Sequence, residues 1–248
     1  HNFVKKTATI ILNRNLPSET DRLVEHLVDN DKEFTDIFVI EAGSEYENLS
    51  KYCTWYIKTD DVMKNGLRYS RGMNYGLLQL WKEDKWQEYD SFFLITNDTI
   101  LPDRQKTIKT LQILLDEHPR VGLISPCSKN WGERELIGEK STKYFWFIHN
   151  NAYFLRKDFV DQIININNLD YMDFLFDGSN FRGYLSEIEI IAKAYSNDWA
   201  AAITTKVFSE EDESYLLDKN NLIKTESYNE NIKLYIDEGL KWIHKKYG

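Results

Sequence analysis

Asp98 is the acidic residue whose sequence position points most directly to chemistry. It lies in the segment Asn97-Asp98-Thr99, which directly follows the apolar run Ser91–Thr96. A carboxylate that a buried strand carries to the edge of a sheet can hold Mg²⁺ or Mn²⁺, and such a cation can bridge the phosphates of a bound diphosphate. The structural alternative is a strand-end turn in which Asn97 and Asp98 cap the next helix.

A second acidic pair, Glu187 and Glu189, lies near the start of a helix predicted over Leu185–Tyr195. Residues two positions apart do not share a helix face, so we expect only one of these carboxylates to face a cleft. A carboxylate in a cleft can act as a general base that removes the proton of an attacking hydroxyl group. We favour Glu187 for this role, and the alternative is that both carboxylates are solvated on the helix surface.

Strands and helices that alternate along the first half of the chain must position these residues. The β-branched run Thr7–Leu12 predicts a strand covered on both faces, and Asp36–Glu41 and Val121–Ser125 predict two more. Ser18 is expected to cap the helix after the first strand. This β-α-β order predicts an α/β fold with a mainly parallel central sheet flanked by helices.

Ligands of such sheets bind beyond the carboxyl ends of the strands. Three polar loops occupy predicted strand ends here, namely Asn13–Asn15, Glu41–Ser44 and Asn97–Thr99. We therefore expect the three loops to come together at one edge of a binding cleft.

The second half of the chain is less regular. It holds a strand-like stretch over Tyr144–Leu155, an aromatic-rich loop over Asn167–Gly183 and a long terminal helix over Glu226–Tyr247. We expect one domain over residues 1–220, with halves of about 1–125 and 126–220, and a C-terminal helical extension over 221–248.

Composition and charge limit the classes of partner. The 248 residues carry a formal net charge of −9. The sequence has no basic stripe, so a nucleic acid partner is not expected. Cys53 and Cys127 fit no metal or redox spacing, which predicts two reduced thiols in or near the core. The sequence contains no apolar run of about 18 residues, so no membrane span is predicted. We expect a cytoplasmic protein, and the sequence is compatible with one domain of a longer chain.

Several ordered segments resemble motifs of the inverting, family-two type of glycosyltransferase with the GT-A fold, from about Thr7 to Ser214. Ile40–Ser44 is similar to the family's Val-Asp-Asn-Gly-Ser motif, and Thr96–Thr99 resembles the Asn-Asn-Asp-Thr version of its metal-binding motif. Leu185–Glu189 resembles its Glu-Asp-x-Asp signature. Three further segments resemble the opening strand and loop, the segment ending in Arg-Asn-x-Gly and the acceptor-side stretch: Thr7–Asn15, Asn65–Gly76 and Asn150–Arg156.

This resemblance implies a site for a nucleotide-diphosphate sugar in the first half and an acceptor site in the second. It assigns Glu41 to the base or ribose, Asp98 to the diphosphate through Mn²⁺ or Mg²⁺, and Glu187 to deprotonation of the acceptor. The residues expected to bind the donor are Asn13, Arg14, Asn15, Glu41, Arg71, Asn74, Asn97 and Asp98, and those expected to bind the acceptor are Asn150, Asn151 and Glu189. As alternatives, Glu41 is a helix-side cap or a salt-bridge partner, Arg71 is a surface residue and Asn74 is a helix cap.

One family feature is missing, because the family often supplies a histidine near the last strand as a further metal ligand. Val207–Ser214 contains no histidine. Glu210 or Glu211 could replace it, since oxygen ligands suit Mg²⁺ and Mn²⁺. The alternative is a solvated acidic loop, so metal dependence stays open. His149 is the only histidine near a predicted site segment, and it contacts a ligand or packs in the sheet.

The sequence therefore predicts a glycosyltransferase of polysaccharide biosynthesis, acting with inversion on a hydroxyl group of a glycan, a lipid-linked glycan or a protein glycan. Two alternatives stay open, a nucleotidyltransferase that makes nucleotide sugars and a non-catalytic sugar-binding or scaffold domain. The first is disfavoured because Asn13–Pro17 lacks the glycine-rich loop of such enzymes. Lys241, Lys245 and Lys246 could bring the terminal helix to a membrane surface or another domain, although packing onto this domain is favoured.

Overall fold

The computed structural model describes residues 5–130, 132–138, 142–144, 148, 151–214, 218–219 and 221–248. Within these ranges the strands are β1 (Thr7–Asn13), β2 (Thr35–Ala42), β3 (Cys53–Ile57), β4 (Ser91–Thr96), β5 (Thr99–Ile100), β6 (Val121–Ser128), β7 (Thr142–Tyr144), β8 (Ala152–Arg156) and β9 (Ala200–Glu211). The helices are α1 (Pro17–Asp31), α2 (Asp60–Asn65), α3 (Arg68–Lys82), α4 (Thr107–Glu117), α5 (Lys157–Ile163), α6 (Ser186–Ser196) and α7 (Tyr228–Tyr247).

The central sheet has the strand order β3-β2-β1-β4-β8-β6-β9-β5, with β7 also paired to β9. Strands β3, β2, β1 and β4 run parallel, as do β6 and β9, so the expected parallel arrangement is present in two parts of the sheet. Strand β8 separates the two parts and pairs antiparallel with both β4 and β6. The sheet is therefore mixed.

Helices cover both faces of the sheet and create two apolar cores. On one face α1 and α4 pack against the sheet through residues such as Leu23, Leu27 and Leu111. On the other face α3, α5 and α6 contribute residues such as Leu77 and Phe159. The strands between two such layers are apolar on both sides, which explains why β1 and β4 read as continuous apolar runs.

Two local predictions are wrong. Helix α1 begins at Pro17 after Leu16 and has no side-chain cap, so Ser18 is not its N-cap. Proline suits the first helical position because it lacks the N–H group that a cap would satisfy. Cys127 is buried as predicted, but Cys53 is exposed, because it begins the edge strand β3.

Helix α7 is 20 residues long and closes the described part of the chain. Ser227 caps its start and forms a capping box with Glu230. Only Gly239 of this helix is buried. Among the described residues, no helix combines the length and apolar character needed to cross a membrane.

Candidate functional site

A cavity of about 380 Å³ lies at the carboxyl edge of β1 and β4. Its walls come from these strand ends, the first turns of α3 and α6, the end of β9, and residues 223–235 of the C-terminal segment. The polar and charged side chains on the walls include Arg14, Arg68, Asn97, Asp98, Arg182, Glu187, Glu211 and Tyr235. Residues from distant parts of the sequence therefore face one space.

A buried hydrogen-bond network lies next to this cavity and joins the ends of β1 and β2. The Glu41 carboxylate is 0% exposed. It accepts hydrogen bonds from Asn13 Nδ2 at 2.9 and 3.0 Å, from Ser44 Oγ at 2.6 Å and from the Ser50 backbone N–H group at 2.7 Å. Asn13 and Glu41 are absent from the cavity wall, and their polar groups are used to join the loops.

The three predicted loops do come together. The Asn15 backbone N–H group donates to Ser44 Oγ at 3.0 Å, and Asn97 Nδ2 donates to Asn13 Oδ1 at 3.3 Å. Gly43 makes the approach possible, since it has a φ of +80° and an added Cβ would lie 2.1 Å from the Val62 carbonyl oxygen. The predicted ligand-binding edge of the sheet is thus a surface whose loops are hydrogen-bonded to one another.

Asp98 lies on the cavity wall with 8% of its surface exposed. Its backbone carbonyl accepts a hydrogen bond from the Asp212 N–H group at 2.9 Å, and the next residue, Thr99, pairs with Glu211 in the β5–β9 ladder. This ladder brings Glu211 to the same wall as Asp98. Glu210 instead forms an ion pair of 3.2 Å with Lys129 and does not line the cavity.

Among the residues that the structure describes, no group of three or more His, Cys, Asp or Glu side chains is arranged to hold a metal ion. The wall nevertheless carries the carboxylates of Asp98, Glu211 and Glu213. Oxygen donors of this kind suit Mg²⁺ and Mn²⁺, which are commonly held by one or two carboxylates together with substrate phosphates. The chemical type of these donors therefore suits such a cation, although the three carboxylates are not gathered into one group.

Glu187 lies in the first turn of α6, is 2% exposed and faces the cavity. The hydroxyl group of Tyr235, from α7, donates a hydrogen bond of 2.5 Å to Glu187 Oε1. Burial and the negative charge of Glu187 raise the pKa of Tyr235, so this hydroxyl group stays protonated. Glu189 faces elsewhere, accepting from the Asp177 N–H group at 2.9 Å and from Lys193 Nζ at 3.0 Å.

Arg71 and Asn74 hold the aromatic-rich loop and are absent from the cavity wall. Arg71 Nε donates to the Gly178 carbonyl at 2.7 Å, and its guanidinium group lies 4.8 Å from the centre of the Phe181 ring. Asn74 is fully buried and bonds the loop backbone through both ends of its amide, including two 2.9 Å bonds to the N–H and carbonyl groups of Phe176. Both side chains therefore position loop backbone.

The remaining predicted residues also fall into two groups, those that line the cavity and those that bond other parts of the fold. Arg14 lines the cavity, whereas Asn15 bonds backbone groups of Glu45 and Leu222. Asn151 is buried and donates to Ser209 Oγ at 3.1 Å. Asn150 and His149 lie outside the described residues.

Sequence reasoning missed Arg68, Arg182 and the role of the terminal helix as a cavity wall. Tyr235 lies within the terminal helix predicted over Glu226–Tyr247, and Arg182 lies within the aromatic-rich loop over Asn167–Gly183. Neither position carries a local pattern that predicts a site, because both reach the cavity through long-range packing.

Comparison with known proteins shows a likeness in fold but none in sequence. No family model matches the sequence, and no curated protein matches it. The fold is similar to mannosyltransferase PcManGT from Pyrobaculum calidifontis in complex with GDP-Man and Mn²⁺, with a TM-score of 0.57, 10% identity and coverage of 85% of this chain and 57% of that chain.

Two further solved structures have comparable likeness. S. aureus TarS 1-349 in complex with UDP has a TM-score of 0.58 and 13% identity, with coverage of 98% of this chain and 72% of that chain. GalNAc-T7 with UDP, GalNAc and Mn²⁺ has a TM-score of 0.59 and 8% identity, with coverage of 83% and 43%. The chain thus spans 57% of PcManGT and 43% of GalNAc-T7, and at these identities the likeness concerns the fold.

Proposed function

We propose that this chain, whose fold is that of GT-A-type glycosyltransferases, itself transfers a sugar from a nucleotide-diphosphate donor to a hydroxyl acceptor. The observation that carries the proposal is that Asp98 and Glu187 face one cavity although 88 residues separate them. One carboxylate suits the charged donor and the other suits proton removal from an acceptor, so a single space holds groups for both halves of the transfer.

The donor nucleoside would lie over the ends of β1 and β2. Glu41 is fully buried and already accepts four hydrogen bonds, so we propose that it acts through Asn13, by fixing the loops on which the nucleoside rests. Arg14 and Asn97 are the predicted donor-binding side chains beside them that face the cavity.

The diphosphate would lie at the wall that carries Asp98 and Glu211. These two carboxylates would hold Mn²⁺ or Mg²⁺ together with phosphate oxygens, and the cation would supply positive charge to the departing nucleoside diphosphate. PcManGT and GalNAc-T7 both contain Mn²⁺, which supports a divalent cation in this fold.

Glu187 would be the general base. An acceptor hydroxyl group that approaches Glu187 can lose its proton to the carboxylate while its oxygen attacks the anomeric carbon from the side opposite the diphosphate. Attack from that side inverts the anomeric centre. The hydrogen bond from Tyr235 fixes the orientation of the Glu187 carboxylate at the cavity wall.

The acceptor would enter beside Asn151 and the loop that precedes α6. Glu189 supports that loop through Asp177, so its contribution to acceptor binding would be indirect. We propose residues 1–220 as the transferase domain and 221–248 as an extension that closes one side of the cavity. A glycan acceptor, as in polysaccharide synthesis, agrees with the aromatic side chains of Tyr69, Tyr184 and Tyr235 on the wall.

Calorimetry with UDP and GDP, in the presence of either Mn²⁺ or EDTA, tests this function. We expect one nucleotide to bind, to bind more tightly with Mn²⁺, and to lose that gain in Asp98→Asn. A panel of nucleotide sugars scored for hydrolysis then identifies the donor. Glu117→Gln, a substitution in an exposed ion pair with Lys206, is the matched control. Absence of nucleotide binding in both buffers would favour a sugar-binding domain without catalytic activity.

A further inference from the structure

Three arginine side chains form a basic wall of the cavity. Arg14 follows β1, Arg68 begins α3, and Arg182 lies shortly before α6. The chain has a net charge of −9, and the same cavity also carries the carboxylates of Asp98, Glu187, Glu211 and Glu213, so the three guanidinium groups form a cationic patch on one part of the wall. A local cationic wall of this kind favours an anionic ligand.

Arg68 and Arg182 are bridged by one carboxylate, that of Glu226. Arg182 Nε donates to Glu226 Oε1 at 2.7 Å, and Arg68 Nη1 donates to Glu226 Oε2 at 3.2 Å. Thr225 Oγ1 adds a bond of 2.8 Å to the same Oε2 atom. Two cations from separate elements of the transferase domain thus hold Glu226 of the C-terminal segment, and Arg182 Nη1 also donates to Glu238 Oε2 of α7 at 2.6 Å.

Arg14 keeps a hydrogen-bond donor that its partners in the described residues do not satisfy. Its Nη2 atom donates to the carbonyl groups of Met63 and Lys64 at 2.9 and 3.0 Å, while its buried Nε atom has no hydrogen-bond partner among the described residues. Burial and the neighbouring charge of Arg68 lower the pKa of Arg14. An anion placed between Arg14 and Arg68 would relieve this repulsion.

A phosphate group can replace the Glu226 carboxylate at such a site. Guanidinium groups bind carboxylate and phosphate oxygens with the same planar, paired geometry. A diphosphate carries more charge and more acceptor oxygens than one carboxylate, so it can engage Arg14 in addition to Arg68 and Arg182.

The segment that carries Glu226 is held by contacts that can be exchanged. Lys224 pairs with Glu45 at 2.8 Å, and both side chains are well exposed. Asn15 Nδ2 donates to the Leu222 carbonyl at 2.7 Å, while the Leu222 side chain itself is exposed. Segments with little apolar burial open at low free-energy cost.

We propose that Arg68 and Arg182 are binding residues for the diphosphate of the donor, and that Glu226 occupies their site until the donor displaces it. The proposal rests on the proposed function, which it extends by naming the anion site and an internal competitor. Donor binding then requires movement of residues 221–227, so the C-terminal segment lowers the apparent donor affinity.

Calorimetry with UDP and GDP in EDTA and in Mn²⁺ tests the proposal on the full chain and on Glu226→Gln, Arg182→Gln and the double variant. Glu226→Gln should bind the nucleotide on the order of tenfold more tightly, because the competing charge is gone. Arg182→Gln should bind about tenfold more weakly, because a charged hydrogen bond is lost. In the double variant the gain in nucleotide affinity caused by Glu226→Gln should vanish, because that gain depends on Arg182.

Limited trypsin digestion of the unmodified chain provides a measurement that needs no variant. Saturating UDP or GDP should speed cleavage after Lys224, because displacement of Glu226 exposes this segment. Thermal unfolding of each variant checks that it is folded, and Glu117→Gln is the control for a carboxylate-to-amide change.

The outcomes separate the two ideas. Nucleotide binding that is equal in the unmodified chain and in Glu226→Gln, with no change in trypsin cleavage, would overturn the inference and leave the transferase function standing. If Glu226→Gln does not fold, trypsin digestion of the unmodified chain tests the inference by itself. A rate of cleavage after Lys224 that is unchanged or reduced by UDP and GDP would overturn the inference. No binding of UDP or GDP to any variant, with or without Mn²⁺, would reject the function itself and the inference with it.

Discussion

Glu41 and Glu226 are both carboxylates enclosed by donors, but they belong to different parts of the molecule. Glu41 is 0% exposed and accepts hydrogen bonds from an asparagine, a serine and a backbone N–H group. Glu226 has 17% of its side chain exposed and lies between two arginines. The first carboxylate joins two strand ends, and the second attaches a peripheral segment.

The difference concerns what can replace each carboxylate. The donors around Glu41 are neutral and buried inside the fold, so an external ligand has neither access nor a charge advantage there. The donors around Glu226 include two cations on a cavity wall, which is why we propose that another anion binds there in its place. We therefore interpret the ends of β1 and β2, called the nucleotide-side edge because the donor nucleoside is proposed to lie there, as a fixed surface, and the C-terminal segment over residues 221–227 as an exchangeable cover.

The largest effect is expected from Glu187→Gln, which keeps the shape of the side chain but removes the base. Turnover should fall about 10²- to 10⁴-fold, the usual contribution of general base catalysis, while nucleotide affinity stays near that of the unmodified chain. Steady-state rates and calorimetry on one preparation measure the two quantities. Turnover that survives the substitution would contradict the base assignment.

Glu41→Ala tests whether the nucleotide-side edge is fixed. It leaves Asn13, Ser44 and the Ser50 N–H group without their buried acceptor, so the free energy of unfolding should fall by about 3 kcal/mol. The midpoint of thermal unfolding should then drop by about 6–12 °C. Glu47→Ala, at an exposed position nearby, is the control and should change the midpoint little. Equal midpoints for the two variants would show that the network is dispensable.

Glu226→Gln should destabilise the chain only where Glu226 is charged. Burial by itself raises the pKa of Glu226, but the hydrogen bond from Arg182 and the charge of Arg68 outweigh it and lower the pKa from 4.5 to about 2. A folded-state pKa below the unfolded value gives stability that is complete above pH 4.5 and is lost as the pH falls towards 2.

Thermal unfolding of the unmodified chain and of Glu226→Gln between pH 3 and 7 measures this difference. The two midpoints should lie apart at pH 7 and approach each other below about pH 4.5. Glu117→Gln is the control for a carboxylate-to-amide change at an exposed position. If the difference between the unfolding midpoints of the unmodified chain and Glu226→Gln does not change with pH, the arginines do not hold a charged carboxylate.

The smallest effect is expected from Lys224→Ala. The Lys224–Glu45 pair is well exposed, so its loss should lower the free energy of unfolding by less than about 1 kcal/mol. This effect should be smaller still in high salt, which screens the pair. Urea unfolding at low and high ionic strength measures both quantities. A cost several times larger would show that the C-terminal segment is attached as firmly as the nucleotide-side edge.

Local patterns predicted most of the parallel half of the fold. The apolar runs of β1, β2 and β4 are long and bounded by polar loops, so their strands agree with the prediction within one residue at each end. The single strand-like stretch predicted over Tyr144–Leu155 differs from the structure, because its described part holds only the last residue of β7 and most of β8, and these two strands have different partners. Strand pairing depends on distant residues, so a single apolar stretch does not reveal a change of partner.

The candidate site shows the same limit. The sequence by itself determined that polar residues follow the strands, that Asp98 ends one of them, and that Glu187 and Glu189 cannot share a helix face, because strand and helix periodicities are local properties of the chain. Only the tertiary structure decided that Glu41 is enclosed, that Arg68 and Arg182 face the cavity, and that Tyr235 reaches Glu187. The contacts of Glu226 with Arg182 and Arg68 and of Tyr235 with Glu187 join residues 44 to 158 positions apart, and such pairings arise from packing of whole elements rather than from any local pattern.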